Sequence, residues 1–274
     1  ILDAGHEIPI VGTAKEQDHY GADKRDFEVF AAEVDATFFA KSDINAPSQI
    51  RLLAASGCDV AISVNWPILI GGEVLDLFPH GVLNLHAGDL PSYRGNACPN
   101  WAILNGEESV GLCVHRMSEG GFDTGPILCR VQIPLSDDTY IGEVYDALDR
   151  LAPQLFLEAV DGLADGTAQF VEQPSEAEAS LRCYPRRPED SRIVWTQSAE
   201  QIYRLVRASS RPFSGAFAWL EGETRVTIWR AAPFDHPGRF VAVPGQVMFD
   251  VDGDPIVACG EGALRLTEVE VAGE

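Results

Sequence analysis

An α/β fold with an open, mostly parallel sheet, followed by a small β-barrel domain, is what this 274-residue sequence predicts. Three observations predict it. Nearly continuous apolar runs, CDVAISVNW at 58–66 and GVLNLH at 81–86, alternate with helical segments, as strands covered on both faces do. A stretch rich in charge, Pro and Ser, VEQPSEAEASLRCYPRRPEDSR at 171–192, then reads as a linker. Short strands with Gly or Asp-Gly turns follow it to the end of the chain.

Each element has a local reason. ILDAGHEIPIVGT reads as a helix end, a stop at Gly5 and a strand over 8–11. A doubly wound domain places another strand and most of a helix ahead of that, so its first strand is expected to be missing here. A helix-like stretch covers 26–34, and SQIRLLAAS forms a second helix stopped by Gly57. After the 58–66 strand, ILIGGEVLDLF is a short helical segment, and 81–86 is the next buried strand. CPNWAILNG at 98–106 is a helix with a Gly stop. VGLCVHRM (110–117) and GPILCRVQI (125–133) are strands joined by SEGGFDT. Residues 139–165 form a long amphipathic helix with Val144, Leu148, Leu151, Leu155 and Leu157 on its apolar side. TQSAEQIYRLVRASS is a capped helix, and AFAWL, TRVTIWRA, GQVMFDV, PIVACG and ALRLTEVEV are five strands. The first part is therefore Rossmann-like and the last a five-stranded barrel of the OB type. The boundary is placed between 1–185 and 186–274.

Composition narrows the function. The net charge is −22, and Lys15, Lys24 and Lys41 are the only lysines among 20 basic residues. Nucleic-acid affinity rests largely on cations meeting phosphates, so DNA or tRNA is disfavoured as a large partner. A small anion held by a few arginines is still allowed. No apolar run approaches the roughly 20 residues of a membrane span. The six cysteines form no C-x-x-C pair, which fits thiols in a reducing, cytoplasmic setting and gives no metal site.

The chemistry-bearing residues lie in NLHAGDLPSYRG, 84–95. Asn84 and His86 alternate with Leu85, so in a strand both project from one face at its carboxyl end, where open α/β sheets bind ligands. Asp123 lies in the Gly-flanked loop GGFDTG. An amide and an imidazolium can stabilise a developing oxyanion, and a carboxylate can raise and orient the histidine. Spacing alone leaves a catalytic and a structural His86 both open. His115 reads as structural, Cys98 and Cys113 as core, and Asp89 as a solvated loop charge. Tyr93 and Arg94 could contact a substrate or brace their loop, and Arg186 and Arg187 could grip a phosphate or face solvent.

N-L-H-x-x-x-L-P-x-Y-R-G, followed by NWAILNGE, VGLCVHRM and FDTGPI, resembles the folate-dependent formyltransferase family. The likeness continues through RRPEDSRIVW, VRASSRPFSGAFAW and PIVACGEGAL, and so spans nearly the whole chain. The resemblance implies that Asn84, His86 and Asp123 are the catalytic residues. It implies 10-formyltetrahydrofolate as formyl donor and tetrahydrofolate as product, with Asn65, Trp66, Ile68, Leu90 and Asp123 at the cofactor. Asn84 and protonated His86 would hold the oxyanion. Tyr93 and Arg94 would meet the amine substrate. One departure is Gly88-Asp89-Leu90-Pro91, where relatives often carry Ser-Leu-Leu-Pro.

The YRG…NWxxxNGE…HRM pattern is most similar to members acting on nucleotide-linked amino sugars, so such a small-molecule amine is the expected substrate. An aminoacyl group on a carrier or tRNA, and hydrolysis of the donor, are the alternatives. A non-catalytic folate-binding protein is the reading from another class. The C-terminal domain could serve dimerisation or substrate positioning.

Overall fold

The computed structural model describes residues 1–14, 21–174, 180–220 and 224–272. The centre of the 171–192 linker, 175–179, lies outside the described residues. In chain order the strands are β1 (Ile10–Thr13), β2 (Thr37–Ala40), β3 (Ala61–Ser63), β4 (Val82–His86), β5 (Arg94–Gly95), β6 (Ser109–Arg116), β7 (Ile127–Pro134), β8 (Arg182–Cys183), β9 (Ala216–Leu220), β10 (Thr224–Phe234), β11 (Val247–Val251), β12 (Asp254–Ala258) and β13 (Ala263–Val271). The helices are α1 (Lys24–Glu33), α2 (Pro47–Ala54), α3 (Gly72–Leu75), α4 (Cys98–Asn105), α5 (Ile141–Asp165) and α6 (Ala199–Ser209).

The chain forms two compact units. The first comprises Ile1–Arg94, Gly111–Gln132 and Leu148–Arg182, and the second Gly95–Val110, Ile133–Ala147 and Cys183–Glu274. In the first unit β1 pairs β2 in parallel, with Ile10 opposite Thr37. β3 pairs β4 in parallel and sets Ser63 beside Asn84. β4 pairs β6 antiparallel, so Asn84 faces His115 and His86 faces Cys113. β7 completes the order β3-β4-β6-β7. The core under β3 and β4 is built from Ile44, Leu53, Ile70, Val74, Leu75, Phe78 and Val82.

The parallel α/β core is as expected, with local differences. The strand over 58–66 contracts to Ala61–Ser63, and the helix in ILIGGEVLDLF to Gly72–Leu75. Asn45 explains the shortening. Its amide donates to the Leu69 carbonyl at 2.8 Å and its oxygen accepts the Gly71 N–H at 2.7 Å, which holds 64–71 as a loop. TFFA, three residues beyond the helix-like stretch of 26–34, is a strand that was not among those expected.

In the second unit α6 carries a capping box: Ser198 accepts from Gln201 N–H, and Gln201 answers to the Ser198 backbone. Its apolar face (Ile202, Leu205, Val206) is buried with Ala216, Ile228, Val257 and Leu264 of the sheet. That sheet is five-stranded and antiparallel, in the order β11-β12-β13-β10-β9. No helix among the described residues is long and apolar enough to cross a membrane.

Candidate functional site

β4 ends the site because its pattern is Val82 and Leu83 buried, Asn84 half-buried and His86 buried. Alternation puts Asn84 and His86 on one face, and the register adds His115 from β6 to that face. His86 is 6% exposed and His115 1% exposed. Their rings meet edge to face with centroids 6.3 Å apart.

Asp123 bridges the two imidazoles. Its Oδ2 lies 3.5 Å from His86 Nδ1 and its Oδ1 lies 3.5 Å from His115 Nε2. The loop reaches this position through a left-handed turn at Asp123, φ 54°, a conformation that Asp tolerates better than most residues. Gly125 allows the return: a Cβ there would lie 1.7 Å from the Arg116 carbonyl oxygen.

Hydrogen bonds fix the tautomers. His86 Nε2 sits 2.6 Å from the Tyr93 carbonyl oxygen, so that nitrogen donates and Nδ1 faces the carboxylate. His115 Nδ1 faces the Arg116 carbonyl at 3.3 Å, and its Nε2 accepts from Asn84 Nδ2 at 3.1 Å. Burial lowers the pKa of His86 from its ordinary value, and Asp123 offsets only part of that. Desolvation therefore works against the protonated His86 that the resemblance implies.

The sign of that shift gives a stability prediction. A histidine whose folded pKa is depressed binds fewer protons folded than unfolded. Stability then falls as pH drops below about 6.5, the unfolded value, towards the folded one. Thermal melts from about pH 7.5 to 5 should show a steeper loss in the wild type than in His86→Gln. Equal slopes would mean that His86 keeps an ordinary pKa.

The remaining expected residues divide. Asn65 (φ 51°) and Ile68 are exposed on the loop that leaves β3 beside Asn84. Trp66 is half-buried, 6.4 Å from the Phe39 ring. Leu90 has a buried side chain, 0% exposed, clustered with Cys113 and Ile127 below the strand end. Tyr93 is buried and supplies the carbonyl that His86 holds. Arg94 donates to Gln173 Oε1 at 2.7 Å, so it braces the loop. Asp89, a half-exposed loop charge, accepts from Gln132 at 2.8 Å and lies 3.4 Å from Arg130.

In the second unit, Arg186 donates to the Asp190 carbonyl and to the hydroxyls of Ser191 and Ser209. Among the described residues no disulfide forms, and Cys58 is the one cysteine not fully buried.

The structure brings to the site His115, which reads as structural from the sequence, and Gln173, which the sequence does not single out. His115 was legible, since VGLCVHRM makes an adjacent strand, but its register was not. Gln173 donates to the carbonyls of Asp123 (2.9 Å) and Gly125 (2.6 Å), a contact no short motif announces.

The formyl transferase family matches residues 6–160, and the formyl transferase C-terminal domain matches 186–274. HypX from Aquifex aeolicus, solved with tetrahydrofolic acid, is similar over 96% of this chain at 19% identity and a TM-score of 0.67. This chain spans 44% of that protein, so somewhat under half its length. Methionyl-tRNA formyltransferase from Clostridium thermocellum is similar over 86% of this chain and 97% of its own, at 20% identity and a TM-score of 0.59. An N-formyltransferase from Helicobacter canadensis, solved with folinic acid and dTDP-3-aminofucose, is similar over 94% and 98%, at 14% identity and a TM-score of 0.64. With both family matches covering most of its length, the chain belongs to the formyl transferase family.

Proposed function

We propose that the chain transfers a formyl group from 10-formyltetrahydrofolate to the amine of a nucleotide-linked amino sugar, with Asn84, His86 and Asp123 as its catalytic residues. The observation that carries this reading is Asp123 held between two buried imidazoles beside the Asn84 amide. The residues suit a flat heteroaromatic donor. Val64, Ile68 and Leu69 expose apolar surface on the loop that Asn45 fixes. Ser63 Oγ and Trp66 Nε1 are buried polar atoms with no partner among the described residues. Asn65, Trp66, Ile68 and the backbone near Leu90 would hold the donor there. Bound, it supplies an activated formyl group on a nitrogen able to leave.

The chain's own groups then divide the work. Asn84 donates an amide N–H to the oxygen that gains negative charge, a contribution typically of about 10²–10³ in rate. His86 Nδ1 takes the proton that the attacking amine loses, and Asp123 stabilises the imidazolium that forms. The same proton is available to the departing nitrogen, which closes the proton balance. Neutral His86 suits this role as a base, because only the unprotonated ring can accept. In this reading residues 1–185 carry the chemistry, and 186–274 form a second domain in a cytoplasmic protein.

The H. canadensis relative, solved with a dTDP-linked amino sugar, supports the substrate class. The net charge of −22 weighs against tRNA. The test is tetrahydrofolate release from the donor, with and without a pool of UDP- and dTDP-linked amino sugars. Release that needs the pool supports the proposal, and splitting the pool names the sugar. Release without any amine would replace it by donor hydrolysis, and none in either case would remove it.

A further inference from the structure

We propose that Gln173, anchored by Arg94, is the positioning residue that fixes the Asp123 loop against His86. The inference rests on the reading of Asp123 as part of the catalytic group. Gln173 lies in the stretch that reads as linker, yet its whole carboxamide is committed to the site. The NH₂ group donates to the carbonyls of Asp123 at 2.9 Å and Gly125 at 2.6 Å. The oxygen accepts from Arg94 Nη2 at 2.7 Å. One amide thus ties together the two carbonyls that flank Thr124, using both donor hydrogens and the acceptor.

The loop needs such a tie. Asp123 has a left-handed backbone, which persists only where its surroundings determine it. The same stretch secures the loop at other points. Val171 and Ile127 exchange backbone hydrogen bonds at 2.9 Å, just past the loop. Arg182 lies over the Phe122 ring, 4.2 Å from its centroid. Arg94 is itself fixed, its N–H donating to the Leu181 carbonyl at 2.8 Å. Gln173 is the member that touches the Asp123 backbone directly, so it sets where the carboxylate stands between His86 and His115.

The test uses Gln173→Ala and Gln173→Glu in the full chain. Glu keeps an oxygen for Arg94 but loses both hydrogens for the carbonyls. Both variants should lose tenfold or more in kcat, with KM for the formyl donor within about twofold, since a shifted carboxylate damages chemistry rather than binding. A second readout needs no turnover: the pH titration of the His86 ring by NMR. The titratable and charged groups facing that ring are Asp123, which raises its midpoint, and His115 and Arg94, which lower it. Loosening Asp123 should therefore move the midpoint down in Gln173→Ala, whereas Gln173→Glu brings a carboxylate of its own to Arg94 and is read on kcat alone. A His86 titration unchanged in Gln173→Ala would overturn the proposal, as would wild-type kcat in Gln173→Glu. If the wild type transfers no formyl group to any amine, the titration still decides on Gln173, and the two failures remain separate.

Discussion

His86→Ala should lower kcat for formyl transfer by about a thousandfold, within the range of roughly 10²–10⁴ for a positioned acid–base group. Among the described residues the site offers no second ring in the same place. His115 lies on the far side of the carboxylate, with Nε2 facing Asn84 and Asp123. The substitution also has a structural side. His86 Nε2 is the donor that the buried Tyr93 carbonyl holds, and leaving such an acceptor unmet costs about 1–3 kcal/mol. Steady-state rates should be read beside urea unfolding of the same variant. A folded His86→Ala protein with wild-type kcat would remove His86 from the chemistry. His86→Gln, which can still reach out with an N–H, should recover stability before it recovers rate.

Gly88→Ala should cost both stability and activity, although Gly88 has no side chain to lose. A Cβ there would stand 2.2 Å from the Tyr93 carbonyl oxygen and 2.4 Å from His86 Nε2. Both neighbours are the ends of one hydrogen bond, so neither can yield without breaking it. Overpacking of this kind costs roughly 1–3 kcal/mol, and the lost bond adds about 1 kcal/mol more. For a chain of this size the melting temperature should fall by roughly 5–10 °C. The rate should fall by at least about a hundredfold, because about 1 Å of misplacement at the reacting group costs that much. The Gly88 carbonyl also accepts from Cys113 Sγ at 3.4 Å, so the strain reaches the strand beneath. A Gly88→Ala protein that melts and turns over like the wild type would show that the loop shifts freely, and that the Tyr93 bond is dispensable.

Much of the site was legible because it follows from period-two alternation. Asn84 and His86 share a face in any strand, and the apolar run before them makes that strand the natural reading. The long helix 139–165 was legible for the same kind of reason, and the structure places it at Ile141–Asp165. What escaped depends on register and on long-range contacts. The place of His115 opposite Asn84 is fixed by how β6 slides along β4, which neither strand states alone. The Asn45 contacts that shorten the helix after β3 span some 24 and 26 residues of sequence. Gln173 reaches across 48 to 50 residues to the Asp123 loop and 79 to Arg94. Composition marked its neighbourhood as linker, and composition carries no information on such pairings. The balance on His86 between burial and the nearby carboxylate was not legible either, because sequence shows burial only coarsely.

The bond between His86 Nε2 and the Tyr93 carbonyl gives the ring a fixed address for any arriving proton. One nitrogen already holds its hydrogen against a backbone oxygen that has none to exchange. Traffic must therefore enter and leave at Nδ1, on the side where Asp123 waits. A ring able to flip could lose a proton from either edge and let it stray. Pinned this way, the ring works as a one-door room, and the backbone of Tyr93 decides which door opens.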